Sequence, residues 1–242
     1  MRTITAPFFE IGPKNLLRRP ALEELSAAAA SAAVEFDVST IVTVPTPLLA
    51  VIKNQNPDLF VFAQQMDVDG IGPSVGRITP EALVDSGADG VMLNHAAHPL
   101  DWLTLVELIG RAREAGLTSM VGVASLDEAL RVAAWYPDII LFEPPELIGK
   151  RHDGSRPWIR AANEAISEVN PSILRMHAGG VARPSDAQAI IADGADGTGS
   201  TTGVVLATDP ASAAQLFIRA VREGANSAPS TEKMKRSTNV NS

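Results

Sequence analysis

The chain has 242 residues, 45% of them hydrophobic, with a formal net charge of −8 and no cysteine. This length and composition suit one large α/β domain with a sizeable core. The charge argues against a duplex-sized nucleic-acid partner, which needs a basic face, and the lack of cysteine excludes disulfides, thiol catalysis and cysteine metal sites.

Short runs rich in Val, Ile and Phe alternate with longer stretches of helical spacing. In chain order, strand-like runs lie at 6–11, 38–44, 59–63, 90–93, 118–123, 138–142 and 173–176. An eighth, 196–202, is dominated by Gly, Ser and Thr. The helical stretches between and after them are 20–34, 47–53, 79–86, 101–115, 126–135, 157–169, 184–193 and 210–223. Helix starts have local causes. Ser125 and Glu128 have capping-box spacing, and Thr79-Pro80 and Asp209-Pro210 set a polar cap before a proline. Gly87, Gly116 and Gly194 supply left-handed helix ends, each followed by an apolar run.

Eight such repeats predict a parallel sheet closed into a (β/α)8 TIM barrel, with an open doubly wound sheet as the rival. The barrel is expected to occupy residues 1–225 as a single domain, and the polar stretch 226–242 to be a disordered tail. The opening residues have no long apolar segment, and no run of about 18 apolar residues occurs. A cytoplasmic protein is expected.

In a parallel barrel, functional groups sit where strands end. The fourth run ends in Asn94-His95, where a neutral imidazole is able to donate to a carbonyl oxygen. The sixth ends in Phe142-Glu143-Pro144-Pro145-Glu146-Leu147-Ile148-Gly149. A carboxylate directly after an apolar run is costly unless it is used or paired. The prolines stiffen the segment, Gly149 allows close approach of a backbone N–H, and the whole suits a lid. Gly179-Gly180 after the seventh run and Thr202-Gly203 after the eighth lie where phosphate sites recur in such barrels. Lys14, two residues after Gly12, follows the first run and is suited to balance negative charge.

Together these segments resemble the triosephosphate isomerase family, most closely its short archaeal form, over about residues 5–222. Residues 142–149 resemble its base and lid segment, Leu93-Asn94-His95 its electrophile segment, and Gly179-Gly180 and Thr202-Gly203-Val204 its phosphate turns. Gly72 through Glu81 resembles its third loop, which projects into a neighbouring subunit. The resemblance implies an intramolecular oxidoreductase that interconverts dihydroxyacetone phosphate and glyceraldehyde 3-phosphate, as in glycolysis. Glu143 is then the base, His95 the electrophile and Lys14 the catalytic cation. Gly12, Gly149, Gly179, Gly180, Thr202 and Gly203 contact substrate or phosphate. The resemblance also implies a homodimer or homotetramer through the loop between Asp69 and Arg77.

The departures are specific. Gly12 stands where the family has Asn, Ala96 and Ala97 stand where it has Ser and Glu, and Lys150-Arg151 replaces a small Thr-Gly. Small polar residues replace bulky apolar ones in the eighth strand. These changes admit two alternatives: a four-carbon substrate such as an erythrulose phosphate, or a barrel that binds a phosphorylated metabolite without catalysis. No lysine lies within an apolar strand, against a Schiff-base aldolase. The four histidines, His95, His98, His152 and His177, lack ligand spacing. No metal, cofactor, nucleic acid or membrane partner is expected.

Overall fold

Strand parity decides which side chains fill the centre of this molecule. The computed structural model describes residues 2–147, 156 and 158–228. Its strands are β1 (Phe8–Ile11), β2 (Ser39–Val44), β3 (Phe60–Ala63), β4 (Gly90–Leu93), β5 (Thr118–Val123), β6 (Ile139–Phe142), β7 (Leu174–His177) and β8 (Gly197–Ser200). Each pairs in parallel with the next, and β8 closes on β1 with Phe8 opposite Gly197. The helices are α1 (Arg19–Phe36), α2 (Leu49–Gln55), α3 (Pro80–Asp85), α4 (Trp102–Ala115), α5 (Leu126–Ala133), α6 (Trp158–Val169), α7 (Pro184–Ala192), α8 (Thr202–Val205) and α9 (Pro210–Ser227). The chain belongs to the (β/α)8 barrel class, and the open-sheet rival is excluded by the β8–β1 pairing.

Local signals act where they were expected. Thr79 Oγ1 accepts from the Ala82 amide, Ser125 Oγ from Glu128 and Asp209 Oδ1 from Ser212. Gly87, Gly116 and Gly194 all have positive φ. Glu128 reaches back one residue further than a capping box requires, to the amide of Ala124.

Most boundaries shift by a residue or two from the expected ones, and three of the shifts have a clear local setting. The first strand begins at Phe8, after Pro7, which has no N–H to donate to a ladder. The last strand ends at Ser200, because Ser200 Oγ accepts from the Gly203 amide and the Val205 amide bonds to the Thr201 carbonyl, which starts α8. The last helix continues through Asn226 to Ser227, beyond the 225 boundary. It packs closely on α7 there: a Cβ on Gly224 stands 2.5 Å from the Gln188 carbonyl oxygen.

The core has two layers. Phe9, Ile11, Val42, Val44, Leu93 and their neighbours point outward and pack against the helices. Phe8, Ile41, Phe60, Phe62, Met92, Met120 and Met176 fill the barrel itself. The small residues of β8 make room for this filling. A Cβ on Gly197 falls 2.3 Å from the Phe8 ring. Gly197→Ala is expected to destabilise the fold by about 1–3 kcal/mol through overpacking. A urea midpoint shift at constant m-value is the measure. Thr198 and Ser200 point outward instead and donate to the carbonyls of His177 and Val181.

Among the described residues no helix is long and apolar enough to cross a membrane.

Candidate active site

A cavity of about 330 Å³ opens at the C-terminal ends of the strands. Glu143, His95, Lys14 and Gly12, four residues singled out in the sequence, line it together. Met92, Leu141 and Met176 supply apolar wall.

His95 follows β4. The preceding Asn94 adopts φ 53° and is held by its side chain: Nδ2 donates to the Gly122 carbonyl, and Oδ1 accepts from the Leu100 amide. A Cβ on Gly122 stands 2.7 Å from the Asn94 carbonyl oxygen, so β5 needs glycine there to admit the loop. The Ala97 amide donates to His95 Nδ1 at 2.9 Å. An Nδ1 that accepts leaves the proton on Nε2 and fixes the neutral tautomer. Burial, helped by the positive charge of Lys14, lowers the His95 pKa and keeps the ring neutral.

Glu143 directly follows β6, with its amide bonded to the Val123 carbonyl at 2.9 Å. Burial raises its carboxyl pKa, and Lys14 opposes that rise. Gly179, φ 84°, packs against this side chain: a Cβ there stands 3.4 Å from Glu143 Cγ and 3.1 Å from Leu147 Cβ. Lys14 sits after β1 at φ 49°, a conformation that is strained for a residue with a side chain. Gln64 Nε2 holds it by donating to the Lys14 carbonyl at 2.8 Å. Lys14 forms no ion pair among the described residues. Ala97, where the resembling family carries Glu, has no charge to offer it.

Gly179, Gly180, Thr202 and Gly203 do not themselves line the cavity; their chain neighbours Ala178 and Thr201 do. Gly179 and Gly180 are consecutive left-handed residues at φ 84° and 69°. Arg156, buried behind them, donates to the carbonyls of Ala178 and Gly179 at 3.0 and 2.6 Å. Two carbonyls engaged by a cation repel an anion less. Thr202 and Gly203 begin α8, and the cavity wall beside them is Gly199, Ser200 and Thr201. The Gly203 amide already donates to Ser200 Oγ at 3.1 Å, and a Cβ on Gly203 meets Ala182 and Phe217 at 2.8 Å. Glycine is therefore required there by packing. Gly149, with Lys150, Arg151 and His152, lies outside the described residues. His98 lines the cavity; His177 points away from it into the helix layer, where Nε2 meets Asn163 Oδ1 at 2.6 Å.

Glu10, Thr43 and Thr201 were not expected in the site, and Gln64 was matched only to the family's third-loop segment, yet all four line the cavity. Glu10 carried a signal: a carboxylate between Phe9 and Ile11 is as anomalous in a strand as Glu143 after one. A second cavity of about 470 Å³ lies at the opposite mouth. Its arginines, Arg2 and Arg113, already donate to backbone carbonyls. Among the described residues no three His, Cys, Asp or Glu side chains are grouped to hold a metal ion.

Comparison with known proteins gives one consistent answer. The family model described as triosephosphate isomerase matches residues 15–121, a stretch that contains His95 and stops short of Glu143. The chain is 35% identical to the triosephosphate isomerase of Cenarchaeum symbiosum over 195 residues, 79% of this chain and 86% of that protein. It is 32% identical to that of Sulfolobus acidocaldarius over 187 residues, 76% and 81% of the two chains. With the Methanosarcina mazei protein of the same name, identity is 30% over 167 residues, 68% and 75% of the two.

Proposed function

Because the chain belongs to the triosephosphate isomerase family, we propose that it is an aldose–ketose isomerase of a small phosphorylated sugar, with dihydroxyacetone phosphate and glyceraldehyde 3-phosphate as the reference pair. One observation carries the reading. Glu143, a neutral His95 and Lys14 arrive from three different strand ends and border one cavity.

The Glu143 carboxylate removes a proton from the hydroxyl-bearing carbon next to the carbonyl. His95 Nε2–H donates to the carbonyl oxygen as negative charge builds there. The Lys14 ammonium, which already draws on both groups electrostatically, offsets that charge. The enediol is then reprotonated on the neighbouring carbon. Substrate and product are isomers, so no redox partner is consumed.

We assign the phosphate to the turns at Gly179 and Gly180 and at Thr202 and Gly203, with Gly12 contacting the sugar; Gly149, given a binding role by the same resemblance, lies outside the described residues. Gly203 contributes by its missing side chain, since its amide is engaged by Ser200. The same reading makes this a cytoplasmic enzyme of carbohydrate metabolism. It would act as a homodimer or homotetramer through the loop between Asp69 and Arg77, where Ile71 and Val75 are 86% and 96% exposed. Such side chains favour burial in a second copy.

A coupled assay on the purified chain tests the activity. The expected result is turnover of dihydroxyacetone phosphate or a close homologue, inhibited competitively by phosphoglycolate. Phosphoglycolate binding without turnover of any triose or tetrose phosphate favours the non-catalytic alternative.

A further inference from the structure

Glu10 is a carboxyl group that the reaction above leaves without a task. It lies in β1 with its side chain turned into the barrel, and the residue is 6% exposed. Thr43 Oγ1, from the adjoining strand, donates to Oε1 at 2.7 Å. Oε2 accepts no hydrogen bond among the described residues, and Glu10 borders the same cavity as Glu143, His95 and Lys14.

Two glycines clear the space around this carboxyl. A Cβ on Gly12 stands 3.0 Å from Oε1, and a Cβ on Gly199 stands 2.8 Å from Oε2. A side chain at Gly199 meets the Glu10 backbone carbonyl as well, and one at Gly12 requires the carboxyl to shift. Burial raises the Glu10 pKa to about 7, with the nearby Glu143 charge adding to the rise and Thr43 and Lys14 opposing it. Near neutrality the carboxyl therefore both donates and accepts. The Oε2 valence that no described protein group fills faces the cavity, where a ligand can reach it. A hydroxyl reaching down the cavity suits it.

The direction of approach follows from the strands. The phosphate turns follow β7 and β8, and Glu143 and His95 stand at the ends of β6 and β4. Glu10 lies deeper, two residues before Gly12, level with Ile41 and Gly199. A sugar held by its phosphate at the rim, with its reacting carbons between Glu143 and His95, directs its far end at Glu10.

We propose that Glu10 is a specificity-determining residue whose carboxyl hydrogen-bonds a hydroxyl on a carbon beyond the reacting pair, selecting a four-carbon ketose phosphate over a three-carbon one. The inference rests on the isomerase reading above and names its substrate class. The step balances. With phosphate on C1 and the carbonyl at C2, Glu143 takes the proton from C3 while His95 protonates the carbonyl oxygen, giving a C2–C3 enediol. Return of a proton to C2, with loss of the O3 proton, leaves the carbonyl at C3; the four-carbon product is therefore a second ketose, where the same proton transfer on the three-carbon ketose gives an aldose. The C4 hydroxymethyl passes through unchanged and is the group that meets Glu10.

The test compares kcat/KM for erythrulose 1-phosphate and dihydroxyacetone phosphate in the wild type, Glu10→Met and Glu10→Gln. Met matches the volume without hydrogen-bonding oxygens; Gln keeps a donor and an acceptor. The wild type is expected to prefer the four-carbon ketose by about tenfold or more. The four-to-three-carbon ratio is expected to fall by about 10²-fold in Glu10→Met and to return to within about threefold of wild type in Glu10→Gln. A general packing role lowers both substrates together and leaves the ratio still. A wild type that prefers the three-carbon substrate, or an unchanged ratio in Glu10→Met, overturns the inference and leaves the isomerase standing. Failure on both substrates, with phosphoglycolate still bound, overturns the isomerase reading itself. The wild-type preference is decisive even if Glu10→Met fails to fold.

Discussion

Glu143→Gln lowers kcat for the isomerisation by about 10²–10⁴-fold, the usual worth of a positioned general base, while KM changes little. Gln has the size of Glu and keeps the contact with Gly179, but it is unable to take up the substrate's proton. The environment prepares the carboxylate for this work. Burial raises its proton affinity, which makes it a stronger base than an exposed glutamate, and Lys14 keeps the rise in check. The acid limb of the kcat/KM profile is accordingly displaced upward from the ordinary carboxylate range. Glu10 provides an internal control. It is a second carboxyl on the same cavity wall, already hydrogen-bonded by Thr43. If Glu143→Gln keeps more than a tenth of wild-type kcat while Glu10→Gln abolishes it, the base has been misassigned.

His177→Gln changes the acid stability of the fold, with the largest effect expected of any single titrating group here. His177 is fully buried between Phe142 and Trp158. Burial lowers its pKa from 6.5 to about 3, and the positive charges of Arg156 and Arg175 push the same way. The folded protein therefore holds it neutral across a range in which the unfolded chain takes up a proton. Stability is lost as pH falls from about 6.5 to about 3, by about 5 kcal/mol at full extent.

Glu10 acts with the opposite sign. Its raised pKa means that the folded state binds the extra proton, so its contribution is complete below 4.5 and disappears as pH rises through about 7. Between about 4.5 and 6.5 the two contributions largely cancel. Below that only the His177 loss remains. Urea unfolding at a series of pH values measures the difference between wild type and His177→Gln, in which other carboxylates cancel. That difference should widen steadily from pH 6.5 downward. A difference that stays constant with pH shows that His177 is not held neutral.

The residues that pointed to a site in the sequence were those whose chemistry broke a local pattern. Glu143 after Ile139–Phe142 and His95 after Gly90–Leu93 stood out because a charged or polar group at the end of an apolar run needs a reason. Both border the cavity. Gly203 broke a pattern too, yet the demand on it comes from Ala182 and Phe217 in the tertiary packing. Glu10 lies inside β1, one residue short of its end, where the rule that functional groups follow strands does not reach.

Order, number and spacing of the β/α units were legible from the chain alone. Helical and strand periodicity, proline starts and glycine stops act within a few residues and need no knowledge of the rest of the molecule. The closure of β8 onto β1, the turning of Glu10 toward Thr43 and the clearance made by Gly12 and Gly199 belong to the tertiary structure. They join positions as much as 189 residues apart, from Phe8 to Gly197. Only the register of a closed sheet determines which of two faces each of those side chains takes, and a one-residue slip reverses it.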